Sequence, residues 1–185
     1  MPLLSLEQLR TICPNLPRAK AELYLPYLNE AMVEDEVNTR LRMAAFLAQG
    51  AEENVEFEYL EEIASGDTYE PTSSDPGARR RAKRLGNTQK GDGRRYKGRG
   101  MFQLTGRDNY RACGSALGVD LITRPELAAT PRYAFKVGCW YWKKKNINAA
   151  ADAEDFEQVT RLINGGLNGL KQRQKYYARA LQVLT

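Results

Sequence analysis

The stretch around Met43-Ala44-Ala45-Phe46-Leu47 constrains the chain more than any other. Leu41, Ala44, Ala45 and Ala48 recur at helical spacing across it, and Asn38 or Thr39 is placed to cap its start. The segment reads as a buried, central helix. Directly behind it the composition inverts. From Glu52 to Glu70 there are eight carboxylates and no Lys or Arg. Acidic stretches are commonly solvated faces, but here Glu53 is anchored by the apolar helix. Glu62 follows nine residues later, beyond a short aromatic and aliphatic run. Hydrolysis of a glycosidic bond takes one carboxylic acid to protonate the leaving oxygen and a second carboxylate to activate water or attack the sugar. Glu53 and Glu62 are the pair this spacing offers.

Elimination points the same way. The chain has no histidine, which excludes Ser-His-Asp and Cys-His catalysis and any His-ligated zinc site. Carboxylates are then the best candidates for proton transfer near neutral pH, and no cofactor or metal is expected. Cys13, Cys113 and Cys139 are odd in number, lack metal-ligand spacing and read as buried free thiols. With 185 residues, 42% apolar and 28% charged, the chain suits one soluble globular domain. No apolar run approaches the ~20 residues of a membrane span. The first residues lack the basic-then-apolar pattern of a signal peptide, so synthesis in the cytoplasm as a monomer is the expectation.

Local signals divide the chain into helices. Ser5-Leu6-Glu7-Gln8 has capping-box spacing and opens a short helix ending near Cys13-Pro14. A second helix follows Pro17, with Leu23, Leu25, Tyr27, Leu28 and Met32 as a rough apolar stripe that Pro26 should kink or divide. Asp75-Pro76 caps a very basic helix closed by Gly86. Met101 to Thr105 alternates and reads as a short extended piece. Further helices are expected from Gly106 to Leu117, after Thr130-Pro131 through the Trp140-Tyr141-Trp142 cluster, from Asp155 to Ile163, and from Lys171 to Leu184. The Trp cluster reads as core. The result is a mainly α protein whose polar, glycine-rich middle suits a cleft.

Two further blocks carry chemistry. In Tyr96-Lys97-Gly98-Arg99-Gly100-Met101-Phe102-Gln103-Leu104-Thr105-Gly106, glycines allow close backbone approach to a ligand, while Tyr, Gln and Thr supply a stacking face and uncharged hydrogen-bond groups. The same block also reads as a tight turn with a solvated Arg. In Ile163-Asn164-Gly165-Gly166 a helix ends, and Asn164 is either a cleft amide or an ordinary C-cap.

These blocks, in this order with Gln49-Gly50-Ala51-Glu52-Glu53 and Glu62, resemble the family 19 chitinases, and most closely their bacterial and phage branch, which includes endolysins. The resemblance covers roughly residues 15–184. It implies a lysozyme-like fold of two lobes around a glycan-binding cleft, and inverting hydrolysis of β-1,4 bonds in N-acetylglucosamine-containing glycans. By the same resemblance Glu53 is the general acid and Glu62 the general base. Gln103, Thr105 and Asn164 hold sugar and water, and Tyr96, Asn109, Tyr110 and Arg173 fall at cleft positions. Glu52 and Asn54 depart from the family, which usually has His before the acid and a small residue after it. A degenerate, binding-only member is therefore an alternative.

Substrate and location follow as expectations. A compact chain of net charge +5 and pI ≈ 9.1 suits an anionic bacterial envelope. Peptidoglycan is the expected glycan and the cell wall the place of action after release, with chitin oligosaccharides as the alternative. From Arg79 to Arg99 there are ten Lys or Arg against one Asp, and Arg79, Arg80, Arg81, Lys83 and Arg84 would form an exposed face toward wall or membrane polymers. Nucleic-acid binding by this segment is a rival from a different class. Only Tyr96 is aromatic within it, and the acidic block before it would repel phosphates, so no nucleic-acid partner is expected.

Overall fold

The computed structural model describes residues 3–184. Among them the chain forms ten α-helices: α1 Leu6–Ile12, α2 Arg18–Glu34, α3 Arg40–Glu53, α4 Pro76–Arg84, α5 Asp92–Arg95, α6 Arg107–Leu117, α7 Pro131–Lys144, α8 Ile147–Asp152, α9 Phe156–Asn164 and α10 Leu170–Val183. Extended pairing among the described residues is limited to isolated bridges of Arg99 with Glu61 and Leu104. The chain divides into two compact units, Met1–Glu58 with Gly138–Thr185, and Tyr59–Val137. The second boundary falls within α7. No helix among the described residues is long and apolar enough to cross a membrane.

The first unit is built around α3. Thr39 caps it, accepting from the Arg42 amide, and every residue from Met43 to Ala51 is buried. Ala44, Ala45, Ala48 and Ala51 are small, so neighbouring helices approach closely; α10, α8 and α9 pack against α3. Phe46 meets Trp142 edge-on, with ring centroids 5.2 Å apart, a geometry that adds roughly 0.5–1.5 kcal/mol to the area buried. Trp142 is fully buried and donates to Asn148 Oδ1, as its core role requires. The Ser5–Gln8 capping box is present, and α1 packs on α2 and α10.

Two features of α2 differ from expectation. Pro26 lies inside a continuous helix. Its position is exposed, so the carbonyl one turn back that lacks a helical donor can be met by water. The buried stripe is Ala21, Tyr24, Leu28, Ala31 and Met32, while Leu23 is exposed. α8 was not expected. α7 ends at Lys144, Asn146 takes the left-handed conformation, and the chain restarts as the alanine-rich α8.

The second unit carries fewer and shorter helices and more irregular backbone. Asp75 caps α4 through the Gly77 and Ala78 amides. Arg79, Arg80, Lys83 and Arg84 are exposed, whereas Arg81 is half-buried and donates to the Thr68 carbonyl. α6 ends at Gly118 in the left-handed region. Met101–Thr105 is not an extended piece. Arg99 and Leu104 exchange both backbone hydrogen bonds, at 3.1 and 2.7 Å, and enclose a tight turn in which Gln103 has φ +49°. Met101 and Leu104 are buried in this turn, which removes the alternation of faces that a strand would need. Cys13, Cys113 and Cys139 are buried and free.

Candidate active site

Glu53 is the last residue of α3, and buried Asn54 closes the helix by donating its amide to the Gly50 carbonyl. Glu53 Oε1 accepts from Arg173 Nη2 at 2.5 Å. Arg173 also donates to Gln49 Oε1 at 2.6 Å and to the Asn168 carbonyl at 3.0 Å. Gln49 passes the network on to Thr160 Oγ1, which donates to the Phe156 carbonyl. One turn of α3 separates Gln49 from Glu53, so both present to α10, where Arg173 lies. The Arg173 side chain is 3% exposed and that of Glu53 21%. One carboxylate oxygen is thus fixed by a buried fork, while Oε2 makes no bond within the described protein. Burial and the Glu53 charge both push the Tyr141 phenol above its usual range.

Glu52, directly before Glu53, is held above the ordinary carboxylate range. Burial is the main cause, opposed by Arg173 and reinforced by Glu53. The side chains of Glu52 and Glu53 therefore sense each other despite the divergence of helix neighbours. Asn164 ends α9 one turn after Thr160, and Gly165 at φ +77° terminates the helix. Its Oδ1 is buried without a hydrogen-bond partner among the described residues.

Beyond Asn54 the backbone makes a turn in which three consecutive non-glycine residues, Val55, Glu56 and Phe57, have φ of +50°, +55° and +63°. Each costs roughly 1–2 kcal/mol. Glu56 offsets this. Its carboxylate is 3% exposed and accepts from the Asn15 amide at 2.6 Å, from Asn15 Nδ2 at 3.0 Å and from Tyr176 Oη at 3.0 Å. Phe57 is buried beside it. Burial and the carboxylate together push Tyr176 up to about 12, against a hydrogen bond with Gln172. Burial, then Glu56, raises the Cys13 thiol.

In the Tyr59–Val137 unit, Glu62 is bound by backbone. Its amide donates to the Gly98 carbonyl at 2.8 Å, and Gly98 N–H donates to Glu62 Oε2 at 2.9 Å. Tyr69 Oη reaches Oε1 at 3.3 Å, and Lys97 Nζ holds the Glu62 carbonyl. No cation pairs with the Glu62 carboxylate among the described residues. Glu61 is the opposite case. Its Oε1 lies 3.0 Å from Lys97 Nζ and 3.1 Å from Arg99 Nη2. Burial alone would raise the Glu61 carboxyl, but these two cations hold it below the usual range. Of the two adjacent carboxylates, Glu61 is committed to ion pairs and Glu62 to none.

Gly98 leaves room for two side-chain ends. A Cβ there would lie 2.5 Å from Gln103 Oε1 and 3.2 Å from Glu62 Oε2. Gln103, Thr105 and Asn109 are joined in sequence: Thr105 Oγ1 donates to the Gln103 carbonyl, and Asn109 Nδ2 to the Thr105 carbonyl. Tyr96 and Tyr110, expected at cleft positions, are both buried. They are 1% and 0% exposed, with centroids 5.3 Å apart. Tyr96 donates to the Ile122 carbonyl and Tyr110 to the Lys97 carbonyl. Both rings are packed in the interior of the unit, with their hydroxyls bound to main-chain carbonyls.

Within the first unit, Glu53 and Arg173 meet directly. Within the second, the Gly98 turn places Glu62 beside Gln103, and Thr105 and Asn109 continue from it. Sequence reading passed over Gln49 as a positioning group, as well as Glu56, Lys97 and Tyr69. The spacing of Gln49 and Glu53 was an available signal. Nothing in the acidic run distinguished Glu56 from its neighbours.

Comparison with known proteins places this geometry. The family model for chitinase class I, of glycoside hydrolase family 19, matches residues 27–153. A glycosyl hydrolase family 19 domain-containing protein of Haemophilus influenzae is 46% identical over 104 residues, covering 55% of this chain and 50% of that protein. An endochitinase of Arabidopsis thaliana is 35% identical over 149 residues, 77% of this chain and 47% of that protein. The chain spans about half the length of these curated relatives. Among solved structures, a bacterial family 19 chitinase superposes with a TM-score of 0.77 at 26% identity, covering 98% of this chain and 95% of that one. The chain belongs to glycoside hydrolase family 19 and has the mainly α, lysozyme-like fold of its chitinases.

Proposed function

We propose that residues 1–185 act as one catalytic domain that hydrolyses β-1,4 bonds of an N-acetylated glycan with inversion. Glu53 is the general acid, delivering its proton to the glycosidic oxygen. Glu62 is the general base, taking a proton from the attacking water. Gln103, Thr105, Asn109 and Asn164 hold the sugar and the water, and Arg173 orients Glu53. The observation that carries this reading is the contrast at the adjacent carboxylates: Glu61 is neutralised by Lys97 and Arg99, while Glu62 meets only an amide and a phenol. A base has to keep a lone pair free for water, and Glu62 does. Inversion requires the two carboxyl groups to be ~6.5–9.5 Å apart when substrate is bound.

The substrate class is N-acetylglucosamine-containing glycan, and we favour peptidoglycan at the bacterial cell wall. Net charge +5 and the exposed cations of α4 support attraction to an anionic envelope. Chitin is the second reading, favoured by the names of the relatives. A digest separates them. Purified protein should release reducing saccharides from peptidoglycan sacculi without new amino termini. Turnover of chitin oligosaccharides with intact sacculi would move the substrate to chitin, and new amino termini would exclude a glycosidase.

A further inference from the structure

The Tyr59–Val137 unit contains a cavity of about 660 Å³ that the proposed hydrolysis does not use. Lys90, Arg94, Arg95 and Arg107 line it over the edge of buried Tyr96, and Asp92 is the one acid in its lining. Each guanidinium is fastened from one side. Arg107 grips Asp92 through Nε and Nη2 at 2.9 and 2.5 Å. Arg94 grips Asp67 through Nε and Nη2 at 2.7 and 3.2 Å. Arg95 donates from Nε and Nη2 to the Ile122 carbonyl and from Nη2 to that of Thr123, at 3.0–3.2 Å. In all three, Nη1 makes no hydrogen bond among the described residues. Arg95 meets two carbonyls and the Tyr96 ring, its Cζ 5.8 Å from the ring centroid, and no carboxylate neutralises it among the described residues. Lys90 is exposed and has no ion-pair partner among the described residues. Glu70 is turned to the Gly91 and Gly93 amides.

Arg94 and Arg107 are already paired with Asp67 and Asp92, so the charge left for an added anion is that of Lys90 and Arg95, with the unused Nη1 groups of the three arginines beside it. Each of the three guanidiniums is hydrogen-bonded through Nε and Nη2, which lowers the conformational entropy lost when an anion arrives. A carboxylate offers two oxygens in one plane and satisfies a single fork. A phosphate group is tetrahedral, with two terminal oxygens on a diester, three on a monoester and four when free, so it can meet donors that do not lie in one plane. We infer that this cavity is a binding site for a phosphate group, as a monoester or diester, formed by Lys90, Arg94, Arg95 and Arg107. The site is independent of the glycan chemistry of Glu53 and Glu62.

The test is a titration of the purified chain with inorganic phosphate, followed by amide NMR, with chloride at matched ionic strength as the reference. Saturable shifts at Lys90, Gly91, Arg95 and Arg107 are expected. Lys90→Gln, an exposed change without fold consequences, should weaken binding several-fold, and Lys90→Gln with Arg95→Gln at least tenfold. Shifts that chloride reproduces, shifts centred on Arg79 to Arg84, or parental affinity in the double variant would overturn the site. Vesicles of phosphatidylglycerol then identify the source. Retention that the double variant loses assigns a lipid headgroup; phosphate binding without retention assigns a soluble or polymer-borne phosphate. Cleavage of a small soluble glycan should be unchanged in both variants.

Discussion

The two units hold their carboxylates by different means. In the first, Glu53 ends a helix buried along most of its length, and its orientation comes from side chains: the Arg173 fork, backed by Gln49 and Thr160. In the Tyr59–Val137 unit, Glu62 lies in irregular backbone, and its orientation comes from main chain, above all the reciprocal pairing with Gly98. A side-chain clamp tolerates backbone variation but fails when one partner is lost. A main-chain clamp tolerates side-chain changes around it but depends on a glycine that lets two segments touch. Damage to the first should therefore appear in stability and activity together, and damage to the second in activity first.

The largest effects belong to the carboxylates themselves. Glu53→Gln and Glu62→Gln should each lower kcat by roughly 10²- to 10⁴-fold while far-UV circular dichroism stays parental. Glu61→Gln should behave inversely, keeping most activity but losing ~1 kcal/mol of stability with its partly exposed ion pairs. An inactive Glu61→Gln beside an active Glu62→Gln would exchange the roles assigned here.

Next comes the side-chain clamp. Arg173→Leu removes the donor from a buried pair and leaves Glu53 Oε1 and Gln49 Oε1 without their partner. Urea denaturation should show a loss of ~3 kcal/mol, accompanied by a drop in kcat. Parental stability would mean that the fork contributes little and that α3 packing alone places Glu53.

Gly98→Ala probes the main-chain clamp. The new methyl would meet the flexible end of Gln103, so stability should change little. Displacing Gln103 and Glu62 should lower kcat roughly 10- to 100-fold. A large fall in Tm with unchanged specific activity of the folded fraction would erase the distinction between the two clamps.

The smallest effect is at Glu52. Its carboxyl is raised in the folded state, so the unfolded chain releases that proton more readily, and ionisation above the folded pKa favours unfolding. Glu52→Gln should give a small rise in Tm at pH 7 to 8. The difference should close as pH falls through the raised pKa toward the ordinary carboxylate value of 4.5. A constant difference across pH would assign the effect to packing.

What the sequence by itself determined was whatever depends on near neighbours. Ser5, Thr39, Asp75 and Asp155 cap helices because the amides they accept lie two or three residues on. Gly118 and Gly165 end helices because a left-handed residue favours glycine. The Tyr96–Gly106 block was legible as glycine-rich backbone that turns tightly, and the absence of His left carboxylates as the candidates for acid–base chemistry. What only the tertiary structure decided was the meaning of identical residues in one acidic run. Glu56 became a buried strut because Asn15 and Tyr176, 41 and 120 residues away, converge on it. Glu61 and Glu62 parted because Lys97 and Arg99 reach one carboxylate and Gly98 the other. Tyr96 and Tyr110 turned inward because their hydroxyls found the Ile122 and Lys97 carbonyls. Burial and charge pairing are sums over partners distant in the chain, and no local spacing encodes them.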